Sequence, residues 1–171
     1  MSLKDIEFGN IDAFNVIVEI PKGSNEKFEY DEESDSMKLN FVFSAIGGSG
    51  ENLVFPFNYG FIPGTLGGDR DPLDAIVLSS APIKSSTVVK CKTIGVFKTI
   101  DRGETDDKII CVPVEDPLTE KYYDISDLPP DTLQKWTEFY LEVARQKKKV
   151  IENMSLENKQ KALEEIKNSL I

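Results

Sequence analysis

The chain has 171 residues, 40% hydrophobic and 29% charged, with a formal net charge of −10. These values suit a single folded domain spanning residues 1–171, large enough to bury a real core. The acidic balance argues against nucleic acid and against an anionic membrane as partner. There is no histidine, which excludes Ser-His-Asp and Cys-His catalysis and imidazole metal sites. Any general base must therefore be Asp, Glu, Lys, Tyr or metal-bound hydroxide. No apolar run approaches the roughly 18 residues of a membrane span, and the N-terminus Met1-Ser2-Leu3-Lys4-Asp5 has no signal-peptide pattern. Cys91 and Cys111 lie in apolar strand-like runs, so they are expected to be reduced core residues of a cytoplasmic protein.

In chain order, Phe14–Ile20 is β-branched and stops at Pro21, which predicts a strand with one embedded charge, Glu19. Lys27-Phe28-Glu29-Tyr30 alternates charged and aromatic residues, a half-buried strand with Lys27 and Glu29 on one face. Met37–Ala45 reads as a strand, 46–51 as a short flexible loop, and Leu53–Tyr59 as an irregular edge strand containing Pro56. Asn58–Thr65 is rich in Gly, Pro and aromatics and reads as a compact turn. Thr87–Ile100 is a long strand bent at Gly95, and Lys108–Val114 is its hairpin partner across the acidic loop 101–107.

Asp127-Leu128-Pro129-Pro130 is expected to open a long helix that buries Leu133, Trp136, Phe139, Tyr140 and Val143 and ends at the basic run 145–149. Ser155 is expected to cap a second helix running to about Leu170, with Leu163, Ile166 and Leu170 as its apolar stripe. Many short strands followed by helices predict a mainly β, α+β architecture: a closed or partly closed barrel with helices added.

The chemistry concentrates in Gly67-Gly68-Asp69-Arg70-Asp71-Pro72-Leu73-Asp74, which runs into the apolar strand Ala75–Leu78. The glycines and Pro72 predict a bent approach that turns three carboxylates toward one point. Clustered carboxylates repel unless a cation neutralises them, and oxygen-only clusters suit hard ions such as Mg²⁺. An isolated Asp-x-Asp would be an exposed acidic turn. A second acidic stretch, Asp101–Lys108, shifts the balance toward a metal site. An EF-hand loop fails, because Leu73 stands at its fifth position and Asp74 where its turn glycine belongs.

These residues resemble the soluble family I inorganic pyrophosphatases. Asp69-Arg70-Asp71-Pro72-Leu73-Asp74 is similar to the family's Asp-x-Asp-Pro-x-Asp signature. Val-Glu-Ile-Pro at 18–21, Lys-Phe-Glu-Tyr at 27–30, Asn-Tyr-Gly-Phe at 58–61 and the stretch 101–108 follow in matching order and spacing. The resemblance implies an OB-like five-stranded barrel with flanking C-terminal helices, a homo-oligomer (usually a hexamer), and Mg²⁺-dependent hydrolysis of pyrophosphate. It assigns Asp69, Asp74 and Asp106 to the Mg²⁺ ions around the nucleophilic water. Asp101 and Glu19 go to substrate-linked metals, and Asp71 is the proton acceptor. Lys27, Tyr59 and Lys108 become phosphate ligands and Glu29 a supporting carboxylate.

The chain departs from the family at one subsite. The family's arginine after the Lys-x-Glu strand aligns with Phe41, and its Tyr-Lys pair on the first long helix aligns with Val143-Ala144. These are ligands of the leaving phosphate. Three explanations follow: substitute cations, with Lys38, Arg70, Arg102, Arg145 and Lys147 as candidates; a different phosphoanhydride substrate; or a non-catalytic metal- or phosphate-binding homologue.

Overall fold

A computed structural model of the chain describes residues 1–117 and 119–171. The short β1 (Gly9–Asn10) folds back on β2 (Ala13–Ile20). A separate hairpin follows, β3 (Glu26–Asp31) with β4 (Ser36–Val42), in which Lys27 stands opposite Phe41. Next come β5 (Asn58–Phe61), β6 (Asp74–Val77), the long β7 (Val88–Asp101), the two-residue β8 (Glu104–Thr105) and β9 (Lys108–Pro113). Helix α1 (Thr132–Lys147), strand β10 (Ile151–Asn158) and helix α2 (Lys159–Ser169) complete the chain.

Strands β2, β5, β6, β9 and β7 pair in that order, and β7 pairs back onto β2, closing a five-stranded barrel. All of these pairings are antiparallel except β6 with β9. Closure needs sharp curvature, and register shifts at Val18/Ile20 and Thr93/Gly95 supply it. The predicted OB-like barrel with C-terminal helices is therefore the fold. Strand alternation divides the core in two. Ile76, Ile110 and Val112 join the aromatic cluster that α1 covers with Trp136, Phe139 and Tyr140. Ala75, Val77, Ile109 and Cys111 join a second cluster closed by Ala162 and Ile166 of α2. Both cysteines are buried and free. Among the described residues, no helix is long and apolar enough to cross a membrane.

Several local expectations are corrected. The strand placed over Leu53–Tyr59 does not form over 53–57, and the turn placed over Asn58–Thr65 begins as β5, buried along its whole length. Gly60 explains the misreading. A Cβ there would stand 2.0 Å from the Ile17 carbonyl oxygen, so glycine marks close strand approach and not a turn. β4, expected over Met37–Ala45, ends at Val42.

The first helix starts at Thr132, with Asp131 as its flanking residue, and Asp127 instead belongs to a short 3-10 turn that it shares with Asp124 in a capping box. Leu133 and Leu170 are exposed rather than buried. Ser155 does not cap a helix; it pairs with Lys98 inside β10. The cap is Asn158, whose side chain accepts from the Lys161 N–H at 3.1 Å. Segment 151–158 extends because β7 is a 14-residue strand whose far half offers unpaired backbone groups, a tertiary demand that its polar sequence does not advertise.

Candidate active site

The barrel and the β3–β4 hairpin enclose a cleft of about 1020 Å³. All ten residues assigned to a site from sequence line it: Glu19, Lys27, Glu29, Tyr59, Asp69, Asp71, Asp74, Asp101, Asp106 and Lys108. They come from β2, β3, β5, the bend before β6, β6 itself, the end of β7, and the β8–β9 junction.

The deep wall is built on adjacent barrel strands. Asp74 and Lys108 open β6 and β9 and are register partners across the parallel pair. The Tyr59 hydroxyl donates to Asp74 Oδ2 at 2.7 Å. The Lys108 ammonium, almost wholly buried, lies 2.8 Å from Asp106 Oδ2 and 3.8 Å from Asp74 Oδ2, and it donates to the Asp106 carbonyl at 3.1 Å. Burial drives the Asp74 carboxyl up to about 7, further raised by the Asp106 charge and opposed by Lys108. Asp106 stays below the ordinary carboxylate range because the attraction and hydrogen bond of Lys108 outweigh its own burial. Glu19 is a second cleft carboxylate raised by burial. Its Oε1 accepts from the Tyr30 N–H at 2.8 Å, tying the hairpin to the barrel, and burial pushes it up to about 8.

The rim is a bend. The Asp71 carbonyl accepts from the Gly67 N–H at 2.8 Å, and Asp69 Oδ1 accepts from the Asp71 N–H at 3.0 Å. Arg70 takes a left-handed φ of +69° within it. Asp71 is raised above the usual range by burial, then by the charge of Asp69. Asp101, at the end of β7, is held by Lys149 at 2.7 Å and Arg102 at 3.1 Å.

The close convergence of three carboxylates expected from the acidic hexapeptide is not reached. Among the described residues, no three acidic or thiol side chains gather tightly enough to hold an ion as they stand. Asp74 and Asp106 do meet, sharing a hydrogen bond with the Lys108 ammonium set against both, but no third carboxylate joins them closely. The donor set nevertheless fits a hard divalent cation. It is all oxygen, it spans both walls of one cleft, and burial raises the carboxyls of Asp71, Asp74 and Glu19, a desolvation that a bound cation would offset.

Two side chains given no place in the site from sequence also line the cleft. Tyr140, read only as core, lines the cleft with its hydroxyl buried. The Lys108 ammonium stands 5.3 Å from its ring centroid. Val143, which aligns with the family's tyrosine, also lines the cleft, and Tyr140 reaches it one turn earlier. Lys149, read as a helix-end charge, holds Asp101. Helical spacing alone gave both residues an ordinary structural explanation.

Of the five proposed substitute cations, Arg70, Arg102 and Lys147 line the cleft. Lys38 pairs with Asp31 at 2.8 Å and Arg145 with Glu142 at 2.6 Å, and neither lines it.

Comparison with known proteins points the same way. Residues 16–170 match the family model for inorganic pyrophosphatase. Soluble inorganic pyrophosphatase of Zea mays is 39% identical over 150 residues, covering 86% of this chain and 67% of its own length. Soluble inorganic pyrophosphatase 1 of Arabidopsis thaliana is 36% identical over 157 residues, covering 92% and 71%. The crystal structure of inorganic pyrophosphatase from Thermus thermophilus aligns with a TM-score of 0.87 at 32% identity, over 99% of this chain and 97% of that one. The Helicobacter pylori inorganic pyrophosphatase gives 0.86 at 33%, over 96% and 95%. Barrel, cleft and sequence together make the chain an enzyme of the inorganic pyrophosphatase family.

Proposed function

We propose that this chain, acting as one domain over residues 1–171, hydrolyses inorganic pyrophosphate to two phosphates with Mg²⁺. A divalent-metal cofactor comes with membership of the family in general. The finer choice of Mg²⁺ rests on the all-oxygen donor set and the phosphate substrate. Asp69, Asp74 and Asp106 would hold ions near the attacking water, and Asp101 and Glu19 those that accompany substrate. The ion supplies positive charge to phosphoryl oxygens and acidity to water at neutral pH.

The chain's own groups do the rest. Asp71 orients water and accepts its proton, and its raised pKa brings it closer to the match with neutral pH that a general base needs. Lys108, Tyr59 and Lys27 present donors and positive charge where negative charge builds on phosphoryl oxygens. Glu29 supports Lys27, 3.9 Å away. Lys108, now held on Asp106, is placed to donate to a substrate oxygen. A homo-oligomer working in the cytoplasm completes the proposal.

The observation that carries this reading is the assembly of ten side chains, from separate elements, in one cleft. The test is phosphate release from pyrophosphate, tripolyphosphate and nucleotides, with and without Mg²⁺, in the wild type and in Asp71→Asn. Mg²⁺-dependent release, greatest for pyrophosphate and abolished in the variant, is expected. Release greatest for a larger phosphoanhydride would point to a rebuilt leaving-group subsite, and no release at any Mg²⁺ concentration would leave a binding homologue.

A further inference from the structure

The cleft also carries an unusual cation. Lys147 stands in the last turn of α1, half-buried, with its ammonium 5.7 Å from the centroid of Phe41. Phe41 is the register partner of Lys27 across the β3–β4 hairpin, so the aromatic ring brings two lysines from distant parts of the chain to one place. Both line the cleft. The neighbouring cations have carboxylates within 4.0 Å: Lys149 holds Asp101 at 2.7 Å, and Lys27 approaches Glu29 at 3.9 Å. Among the described residues, Lys147 forms no ion pair with a carboxylate; its one close partner is the ring. This is not for want of anions, since the chain has 30 acidic residues against 20 basic ones.

Burial holds the Lys147 ammonium down at about 8; repulsion from Lys27 and Lys149 adds to it, and the charges of Glu29 and Asp101 oppose it. A charge kept partly desolvated beside like charges, over an aromatic face that tolerates a cation, is arranged to receive an anion.

We propose that Lys147, braced on Phe41 beside Lys27, binds the phosphoryl group that lies away from the carboxylates and so fixes the seating of a two-phosphate substrate. The proposal rests on the pyrophosphate reading above. It singles out one residue among the expected substitute cations: Arg145 is pinned by Glu142, Lys38 is outside the cleft, Arg102 already serves Asp101, and Arg70 stands exposed on the acidic bend between Asp69 and Asp71. Phe41 then acts as the platform that positions the ammonium.

The test uses the full chain with Mg²⁺. Calorimetric binding of methylenediphosphonate, which cannot be hydrolysed, and steady-state pyrophosphate hydrolysis are measured for wild type, Lys147→Met, Lys147→Arg and Lys38→Met. Lys147→Met keeps the apolar stem over Phe41 and removes the charge. It is expected to weaken analogue binding about tenfold, the size of one lost charge-assisted hydrogen bond. It is expected to raise KM more than it lowers kcat, while Lys147→Arg retains most of the binding and Lys38→Met behaves as wild type. Wild-type binding and KM in Lys147→Met, in an otherwise active enzyme, would overturn the proposal alone. Equal loss in the Met and Arg variants, with a lowered Tm in both, would also overturn it, since that marks a structural role. A wild type that neither binds the analogue nor hydrolyses pyrophosphate would overturn the underlying reading and this inference with it.

Discussion

The two sides of the acidic cluster are built differently. Asp74, Asp106, Lys108 and Tyr59 form a wall on rigid barrel strands, where every charge has a partner at hydrogen-bond or ion-pair distance. Asp69 and Asp71 sit on an exposed bend held by three local hydrogen bonds, and among the described residues the Asp71 carboxylate forms no ion pair. The wall is therefore woven into stability as well as chemistry. The bend is free to serve chemistry alone, as functional groups on loops over a rigid scaffold usually do.

Each expected outcome bears on that contrast. Chelation of divalent metal touches both sides and has the largest effect: phosphate release falls to background with EDTA and returns with Mg²⁺. Asp71→Asn comes next, lowering kcat by about 10² to 10⁴-fold as a lost general base does, with Tm within about 1 °C of wild type by thermal unfolding. A large fall in Tm would erase the distinction between bend and wall.

Lys108→Met, on the wall, leaves Asp74 and Asp106 facing each other unneutralised. By denaturant titration, the metal-free protein should lose about 3–5 kcal/mol, the usual cost of breaking a buried ion pair. Unchanged stability would show the wall to be as tolerant as the rim. Gly60→Ala tests the scaffold beneath the wall. Its Cβ would force β5 off β2, because the Ile17 oxygen stands only 2.0 Å away, and a loss of about 1–3 kcal/mol is expected from such overpacking.

The smallest effect is a pH dependence. Glu19 is raised from about 4.5 to about 8 in the fold. Between those values the folded state binds more protons at this site than the unfolded chain, so the group's contribution to stability falls as pH rises through that window and levels off above it. The metal-free protein should accordingly show a Tm that declines from pH 5 to 8, and Glu19→Gln should flatten that decline by a few degrees. An unaltered slope in the variant would show that Glu19 does not titrate there. Mg²⁺ should stabilise most at the alkaline end, where the carboxylates are ionised.

The sequence by itself determined the barrel strands with strong β-branched patterns, the absence of histidine chemistry, and the acidic hexapeptide with its companion stretch at 101–108. Those are local signals: periodicity and clustered like charge report directly on burial and on cation demand. Only the tertiary structure decided that Asn58–Phe61 is a central strand, that 151–158 extends along β7, and that Tyr140, Lys147 and Lys149 turn into the cleft. Each of those depends on what another element offers across space: a carbonyl too close for a Cβ, an unpaired strand half, an aromatic ring or a carboxylate at the end of a distant hairpin. No window of neighbouring residues carries that information, because the deciding partner lies far away in the chain.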